Sequence, residues 1–66
     1  MIAYYRLFDY LRRKGIKHSD LIKNDIINPG TLQRMRENRD VSTRTLDKLC
    51  EHLGCRIEDI CEYEKK

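Results

Sequence analysis

The stretch Ser19–Asn38, SDLIKNDIINPGTLQRMREN, decides the fold of this chain. It predicts two short helices separated by a tight break, with the second helix beginning at Pro29. Proline needs no N–H at the first helical position, and the preceding Asn28 can cap the exposed amides. Successive residues of a helix turn by about 100°, so Leu32 and Met35 face the same way. The opposite face carries Gly30, Gln33, Arg34 and Glu37.

This outward face has the chemistry of a surface that reads DNA. A planar amide, a guanidinium and a glycine suit hydrogen bonding to base edges in a major groove. A surface helix whose polar face is merely solvated shows the same periodicity, so the pattern alone leaves both interpretations open.

Length and charge narrow the class of protein. The chain has 66 residues, which predicts a single domain over residues 1–66 with a small core. His18, Asp20 and Asp25 could form an acid–base set, but they lie on one short helix without a pocket, so we expect no enzyme. Residues 1–46 carry a net charge of +5 and residues 47–66 a net charge of −2. This distribution is typical of a surface that faces phosphates on one side.

Neither a membrane segment nor a metal site is predicted. No segment is apolar for long enough to span a membrane, and the N-terminus lacks a signal-peptide core, so we expect a cytoplasmic protein. Cys50, Cys55 and Cys61 match no disulfide framework. Cys50 and His52 would lie about 200° apart on a helix and could not bind one ion. We interpret the cysteines as reduced packing residues, and we expect no metal, cofactor or small-molecule ligand.

The hydrophobic pattern predicts an all-α fold of five helices and no strand. The first four helices are expected at about 3–14, 18–25, 29–37 and 43–53. A short fifth helix is expected to turn Ile57, Ile60 and Cys61 inward. Glycines at positions 15 and 54 are typical helix ends, and a serine at position 42 is a typical helix cap. Short loops between such helices give a compact domain.

These motifs resemble the lambda-repressor-like family, the Cro/C1 or XRE type of helix-turn-helix. The resemblance covers nearly the whole chain. It rests on KGIK at 14–17, DL at 20–21, TLQRMR at 31–36, VS at 41–42, TLDKLC at 45–50, LGC at 53–55 and DI at 59–60. It implies a five-helix domain whose third helix enters the major groove of double-stranded DNA. It also implies a transcriptional regulator, and a repressor in particular, from bacteria, phages or mobile elements.

The resemblance further implies a set of DNA-contacting residues. They are His18, Asn28, Gly30, Thr31, Gln33, Arg34, Asn38, Arg39, Thr43 and Arg44. Arg34 is the first choice for a base contact because its fork can pair with guanine through two hydrogen bonds, and Gln33 is the second. Gly30 would let the backbone approach closely. Thr43 and Arg44 would bind a phosphate at the beginning of helix 4.

Two positions near the turn depart from the family pattern. The family usually has Ala where this chain has Ile22, and Gly where it has Ile26. A β-branched residue in a left-handed turn is strained, so we expect either a different path for the turn or a longer helix 2. Either change would rotate helix 3. The family often has Gln at the position of His18, and a phosphate contact and a solvated side chain are equal alternatives there.

The resemblance also implies which partners the chain binds. This fold usually reads two half-sites about one helical turn apart, which predicts a homodimer at least on DNA, with helix 5 and Tyr63 as candidate contacts. A monomer that pairs only on DNA is an alternative. A rival function is an antitoxin or anti-regulator that binds a protein, which would require an exposed apolar patch. The cluster of Arg34, Arg36, Arg39 and Arg44 around helix 3 favours DNA.

Overall fold

The computed structural model describes residues 1–65, which form four α-helices, one 3₁₀ turn and a two-stranded ribbon. The elements in chain order are β1 (Ile2–Ala3), α1 (Tyr5–Lys14), α2 (His18–Lys23), α3 (Pro29–Arg36), α4 (Thr43–Leu53), the 3₁₀ turn (Ile57–Asp59) and β2 (Glu62–Tyr63). Within these described residues, no helix has the length and apolar character needed to cross a membrane.

A single hydrophobic core joins the helices. Each helix contributes at least one side chain that is fully buried, and the segment before β2 adds another. These side chains are Leu7, Leu21, Met35, Leu49 and Ile60. Burying an aliphatic side chain of this size contributes roughly 1.5–3 kcal/mol. The core therefore fixes α2 and α3 relative to α1 and α4.

The predicted caps at two helix starts are confirmed. Asn28 precedes α3, and its side chain accepts a hydrogen bond from the amide of Thr31 (2.7 Å). Ser42 precedes α4, and its hydroxyl accepts a hydrogen bond from the amide of Thr45 (3.2 Å). In both cases the side chain replaces a carbonyl that the first turn of a helix lacks.

All four α-helices end in a left-handed turn of the same kind. The residues with positive φ are Gly15 (68°), Asp25 (62°), Asn38 (56°) and Gly54 (65°). The next amide then donates to the carbonyl five residues earlier. These bonds run from Ile16 to Leu11 (2.9 Å), Ile26 to Leu21 (2.9 Å), Arg39 to Arg34 (2.8 Å) and Cys55 to Cys50 (3.1 Å). This Schellman arrangement satisfies carbonyls that a helix end leaves free.

The turn between α2 and α3 corrects the expectation about Ile26. The left-handed residue is Asp25, and aspartate tolerates this conformation because its short polar side chain can hydrogen-bond locally. The amide of Asp25 donates to the carbonyl of Ile22 (3.1 Å), and Ile26 packs against the core. Ile26 therefore avoids the left-handed conformation, and the turn takes a different path, which is one of the two predicted alternatives. The helix α2 ends at Lys23 and does not extend to residue 25.

The predicted fifth helix is also wrong. Residues Ile57–Asp59 form only a 3₁₀ turn, because the chain soon extends into β2, which pairs with β1. Ile57 is 46% exposed and does not face inward, whereas Ile60 is fully buried as predicted. At the end of α3, Glu37 is the C-cap and not a helical residue.

The structure contains a two-stranded ribbon, although no strand was predicted. Ile2 pairs with Tyr63 and Ala3 with Glu62 in antiparallel register. This pairing takes Ala3 out of the first helix, which was predicted from about residue 3 and begins at Tyr5. Arg6 supports the pairing because its guanidinium donates to the carbonyl of Glu58 (3.3 Å) and its Nε lies 3.3 Å from Glu62 Oε1.

The left-handed turn at Asp25 predicts a specific order of stabilities. Asp25→Val places a β-branched residue at positive φ and should lower the free energy of unfolding by about 1–3 kcal/mol. Asp25→Gly should change it by less than about 1 kcal/mol, because relief of backbone strain offsets the greater entropy of the unfolded chain. Urea denaturation measures both values. Asn24→Val, at the neighbouring negative φ of −90°, is the control. An Asp25→Val variant as stable as Asn24→Val would contradict the left-handed turn.

Candidate nucleic-acid interface

The beginning of α3 is built closely around Asn28. The Oδ1 atom that caps Thr31 would lie 3.3 Å from a Cβ atom placed on Gly30. The same Cβ atom would lie 3.8 Å from Arg34 Nη1. Glycine at position 30 therefore leaves room for the cap, whereas the distance to the guanidinium would be an ordinary van der Waals contact.

Arg34 is exposed, and its side chain extends back toward the beginning of α3. Its Nη2 atom donates to the hydroxyl of Thr31 (3.1 Å). Thr31 itself is only 5% exposed, so its side chain orients Arg34 and is not an open contact surface. A guanidinium has five N–H donors, and one bond to a buried hydroxyl leaves the others available. The arrangement fixes the direction of a bidentate donor on the surface of α3.

Gln33 lies on the exposed side of α3 but is already hydrogen-bonded. Its Nε2 atom donates to Glu37 Oε2 (3.1 Å), one turn later. Arg39 Nη1 lies 3.4 Å from the other carboxylate oxygen, Oε1. The pKa of Glu37 is held below its usual value, first by the hydrogen bond from Gln33 and then by that from Arg39. We call these three residues the Glu37 cluster.

Asn38 has a structural role that the sequence did not predict. Its Oδ1 atom accepts a hydrogen bond from the amide of Tyr4 (3.1 Å), which joins the end of α3 to the residue before α1. Asn38 also occupies the left-handed position that ends α3. Its side-chain oxygen is therefore used within the fold.

Thr43 and Arg44 are the first two residues of α4, and both are exposed. The amides at the beginning of a helix carry partial positive charge. Backbone amides, a hydroxyl and a guanidinium in one turn form a group that can hydrogen-bond to a phosphate oxygen.

A cationic cleft lies beside His18 at the beginning of α2. We call it the His18 cleft. Its lining consists of Phe8, Arg12, Ile16, Lys17, His18 and Arg36. Arg36 Nη2 lies 3.2 Å from His18 Nδ1, and the Phe8 and His18 rings are 5.4 Å apart. Because a guanidinium only donates, His18 Nδ1 is the acceptor of this bond. The structure thus connects α2 to α3 through an imidazole and a guanidinium.

Sequence reasoning missed three residues of the His18 cleft. Arg12, Lys17 and Arg36 were counted as basic residues but were not predicted as site residues. Arg36 lies three positions after Gln33, so helical spacing could have placed it on the exposed side of α3. Arg12 comes from a different helix, and no local sequence pattern reveals that it lies near His18.

The cysteines show the properties of packing residues. Cys50, Cys55 and Cys61 are free and half-buried, and all three pack against the core. Burial, together with the neighbouring Cys50 thiol, raises the pKa of Cys55 to about 11 and raises that of Cys61. The Cys55 thiol therefore stays protonated near neutral pH and is a poor nucleophile. Among residues 1–65, no three metal-ligating side chains converge on a common point.

Comparisons with known proteins identify the family and the fold of the chain. A family model described as the Cro/C1-type HTH DNA-binding domain matches residues 6–66. The fold is also similar to the crystal structure of the transcriptional regulator VanUg in its form II, with a TM-score of 0.89 and 26% sequence identity. That match covers 98% of this chain and 87% of the other. No curated protein sequence matches the chain.

The bond between Asn38 and Tyr4 predicts an order of stabilities. Asn38→Asp keeps the acceptor oxygen and should stay close to the original protein. Asn38→Gly keeps the backbone conformation but leaves the Tyr4 amide unpaired, which should cost about 1–3 kcal/mol. Asn38→Ala loses both and should cost about 1 kcal/mol more. Urea denaturation of the three variants measures this order. An alanine variant as stable as the aspartate variant would mean that the Asn38 bond does not hold the two segments together.

Proposed function

The chain belongs to the family of Cro/C1-type helix-turn-helix DNA-binding domains, and we propose that it is a sequence-specific repressor that reads the major groove with α3. The family and the likeness to a transcriptional regulator support a DNA-binding transcriptional regulator. The finer assignment of α3 as the reading helix is our proposal.

The orientation of Arg34 is the observation that carries this proposal. A buried threonine hydroxyl holds one arm of the guanidinium at 3.1 Å, while the side chain as a whole remains exposed. Fixing a long side chain before binding reduces the entropy that the contact costs. A fork held in this way suits the O6 and N7 atoms of guanine. Gln33, Asn28 and Gly30 complete the proposed base-facing surface.

Phosphate contacts are proposed on either side of this surface. The His18 cleft supplies Arg12 from α1, Lys17 from the start of α2 and Arg36 from α3. The first turn of α4 supplies Thr43 and Arg44. Contacts to the backbone on both sides would fix the register of α3 without reading sequence. The concentration of positive charge in residues 1–46 supports this arrangement.

Repression is the simpler of the two regulatory outcomes. A protein that occupies a promoter prevents polymerase from binding there, so a DNA-contacting surface is sufficient. Activation requires an additional productive contact with polymerase. We therefore propose a repressor.

We infer a homodimer on DNA, formed through the outward side of the ribbon. Ile2 is 43% exposed and Tyr63 is 69% exposed, although they are directly paired across the two strands. Ala3, in the neighbouring pair, is buried, so the apolar Ile2–Tyr63 pair points away from the core. A second copy of the chain would cover this pair and place two α3 helices on two half-sites. An antitoxin or anti-regulator function is the second candidate, because exposed apolar residues also suit a different protein partner.

The reading role of Arg34 predicts a contrast between folding and sequence choice. Arg34→Ala should leave the melting temperature nearly unchanged because the side chain is exposed. It should weaken binding to a duplex selected from a random pool by about 1–3 kcal/mol. Binding to an unrelated duplex should weaken less, because phosphate attraction from the other basic residues remains. Arg34→Lys should restore the non-specific affinity but only part of the discrimination. Fluorescence anisotropy at fixed salt measures these affinities.

Lys65→Ala is the control for the loss of one positive charge, since Lys65 is exposed and far along the chain from α3. Equal losses on selected and unrelated duplexes would make Arg34 a phosphate contact. A protein that bound no duplex at low salt would favour the protein-binding alternative.

The ribbon predicts a second result, on the stoichiometry of the complex. Tyr63→Ser removes the most exposed of the large apolar side chains in the described residues and should not change melting. It should convert the two-protomer complex on a palindromic duplex into successive, weaker binding of single protomers. Sedimentation of the complex measures this change. An unchanged two-protomer complex would place the dimer contact elsewhere.

A further inference from the structure

A carboxylate at the end of α3 lies within the cationic surface that we assign to DNA. Glu37 follows α3 as its C-cap residue, and its side chain is exposed. Both of its oxygens are used. Oε2 accepts from Gln33 (3.1 Å), and Oε1 lies 3.4 Å from Arg39 Nη1. In the free protein, two of the residues assigned to DNA are therefore directed at a carboxylate.

Because Glu37 is ionised, this arrangement weakens the binding of DNA of any sequence. The hydrogen bonds from Gln33 and Arg39 hold the pKa of Glu37 below its usual value, so the group is charged at neutral pH. A fixed negative charge repels a nearby phosphate backbone. A duplex that takes the N–H groups which Gln33 and Arg39 direct at Glu37 must also break those bonds.

A duplex can offset these costs in one way. Base amino groups in the major groove, the N4 of cytosine and the N6 of adenine, donate hydrogen bonds that a carboxylate accepts. A duplex that places such a donor opposite Glu37 satisfies the carboxylate and frees Gln33 and Arg39. A duplex without that donor either leaves Gln33 and Arg39 bonded to Glu37 or takes them and leaves a charged acceptor unpaired, which is costly once water is excluded.

From these contacts we propose that Glu37 is a specificity-determining residue that selects against DNA lacking a base amino group opposite it. The inference rests on the proposed function, because it assumes that α3 faces the major groove. Specificity of this kind comes from penalising wrong partners as well as from rewarding the right one.

A simpler role for Glu37 makes a different prediction. Gln and Glu four residues apart stabilise a helix regardless of any ligand. If that were the only role, Glu37→Gln would act on DNA binding as any other removal of one negative charge does. Glu51 provides this comparison, because it is an exposed carboxylate on α4 outside the proposed interface.

The first measurement compares Glu37→Gln with Glu51→Gln on two duplexes, one selected by the original protein from a random pool and one unrelated. Glu37→Gln should tighten binding to the unrelated duplex several-fold more than Glu51→Gln does. It should tighten binding to the selected duplex less, so that the ratio of the two affinities falls by about tenfold. Thermal melting confirms that both variants remain folded. Equal effects of the two variants on this ratio would overturn the inference.

The second measurement tests the bond between Glu37 and Arg39. Arg39→Ala is made in the original protein and in Glu37→Gln, and binding to the unrelated duplex is measured. In the original protein the loss should be less than about twofold, because Arg39 is held by Glu37. In the Glu37→Gln background the loss should be about fivefold or more, since the freed guanidinium then contacts phosphate. Equal losses in the two backgrounds would overturn the idea that Glu37 and phosphate compete for Arg39.

The proposed function and the proposed role of Glu37 can fail separately. If the original protein binds no duplex, the proposed function is overturned, and this inference with it. If the protein selects a duplex and Arg34→Ala abolishes that selection while Glu37→Gln leaves it intact, the proposed function stands and the inference alone is overturned.

Discussion

The left-handed turn that ends each of the four α-helices is the constraint on which the rest of the structure depends. The four residues with positive φ are Gly15, Asp25, Asn38 and Gly54. In three of these turns the following residue, Ile16, Ile26 or Cys55, packs against the core. After α3 the following residue is Arg39, which is exposed and lies beside Glu37. The same backbone geometry thus directs a side chain against the core after α1, α2 and α4 and places a guanidinium at the surface after α3.

Helix boundaries could be predicted where the cause is local. A side chain that caps its own helix, such as Asn28 or Ser42, and a glycine at a helix end act over three to five residues, and the sequence shows them directly. The ribbon and the missing fifth helix could not be predicted in this way. The pairing of Ile2 with Tyr63 joins the two ends of the described chain, and two-residue strands have no periodicity to detect. The family pattern suggested Ile26 as the left-handed residue of the turn, whereas that residue is Asp25. The tolerance of aspartate for positive φ was not considered.

The candidate site likewise has features that the sequence predicts and features that it does not. Helical spacing placed Gln33 and Arg34 on the exposed side of α3, and the structure agrees. It did not show that Arg34 is hydrogen-bonded to a buried Thr31, or that Asn38 holds the Tyr4 amide. These contacts depend on side-chain direction and on residues far apart in sequence. A single sequence therefore gives the face of a helix, whereas the fold decides which side chains on that face are available to a ligand.

The central claim is that α3 and the first turn of α4 meet DNA while the ribbon does not. Chemical-shift mapping of the ¹⁵N-labelled protein, titrated with its selected duplex, tests this most directly. The account predicts large amide shifts in residues 30–36, in the Glu37 cluster and at Thr43 and Arg44. It predicts small shifts in Glu62–Tyr63 on one half-site, where no second protomer can bind. Large shifts confined to the ribbon, with α3 unchanged, would contradict the account.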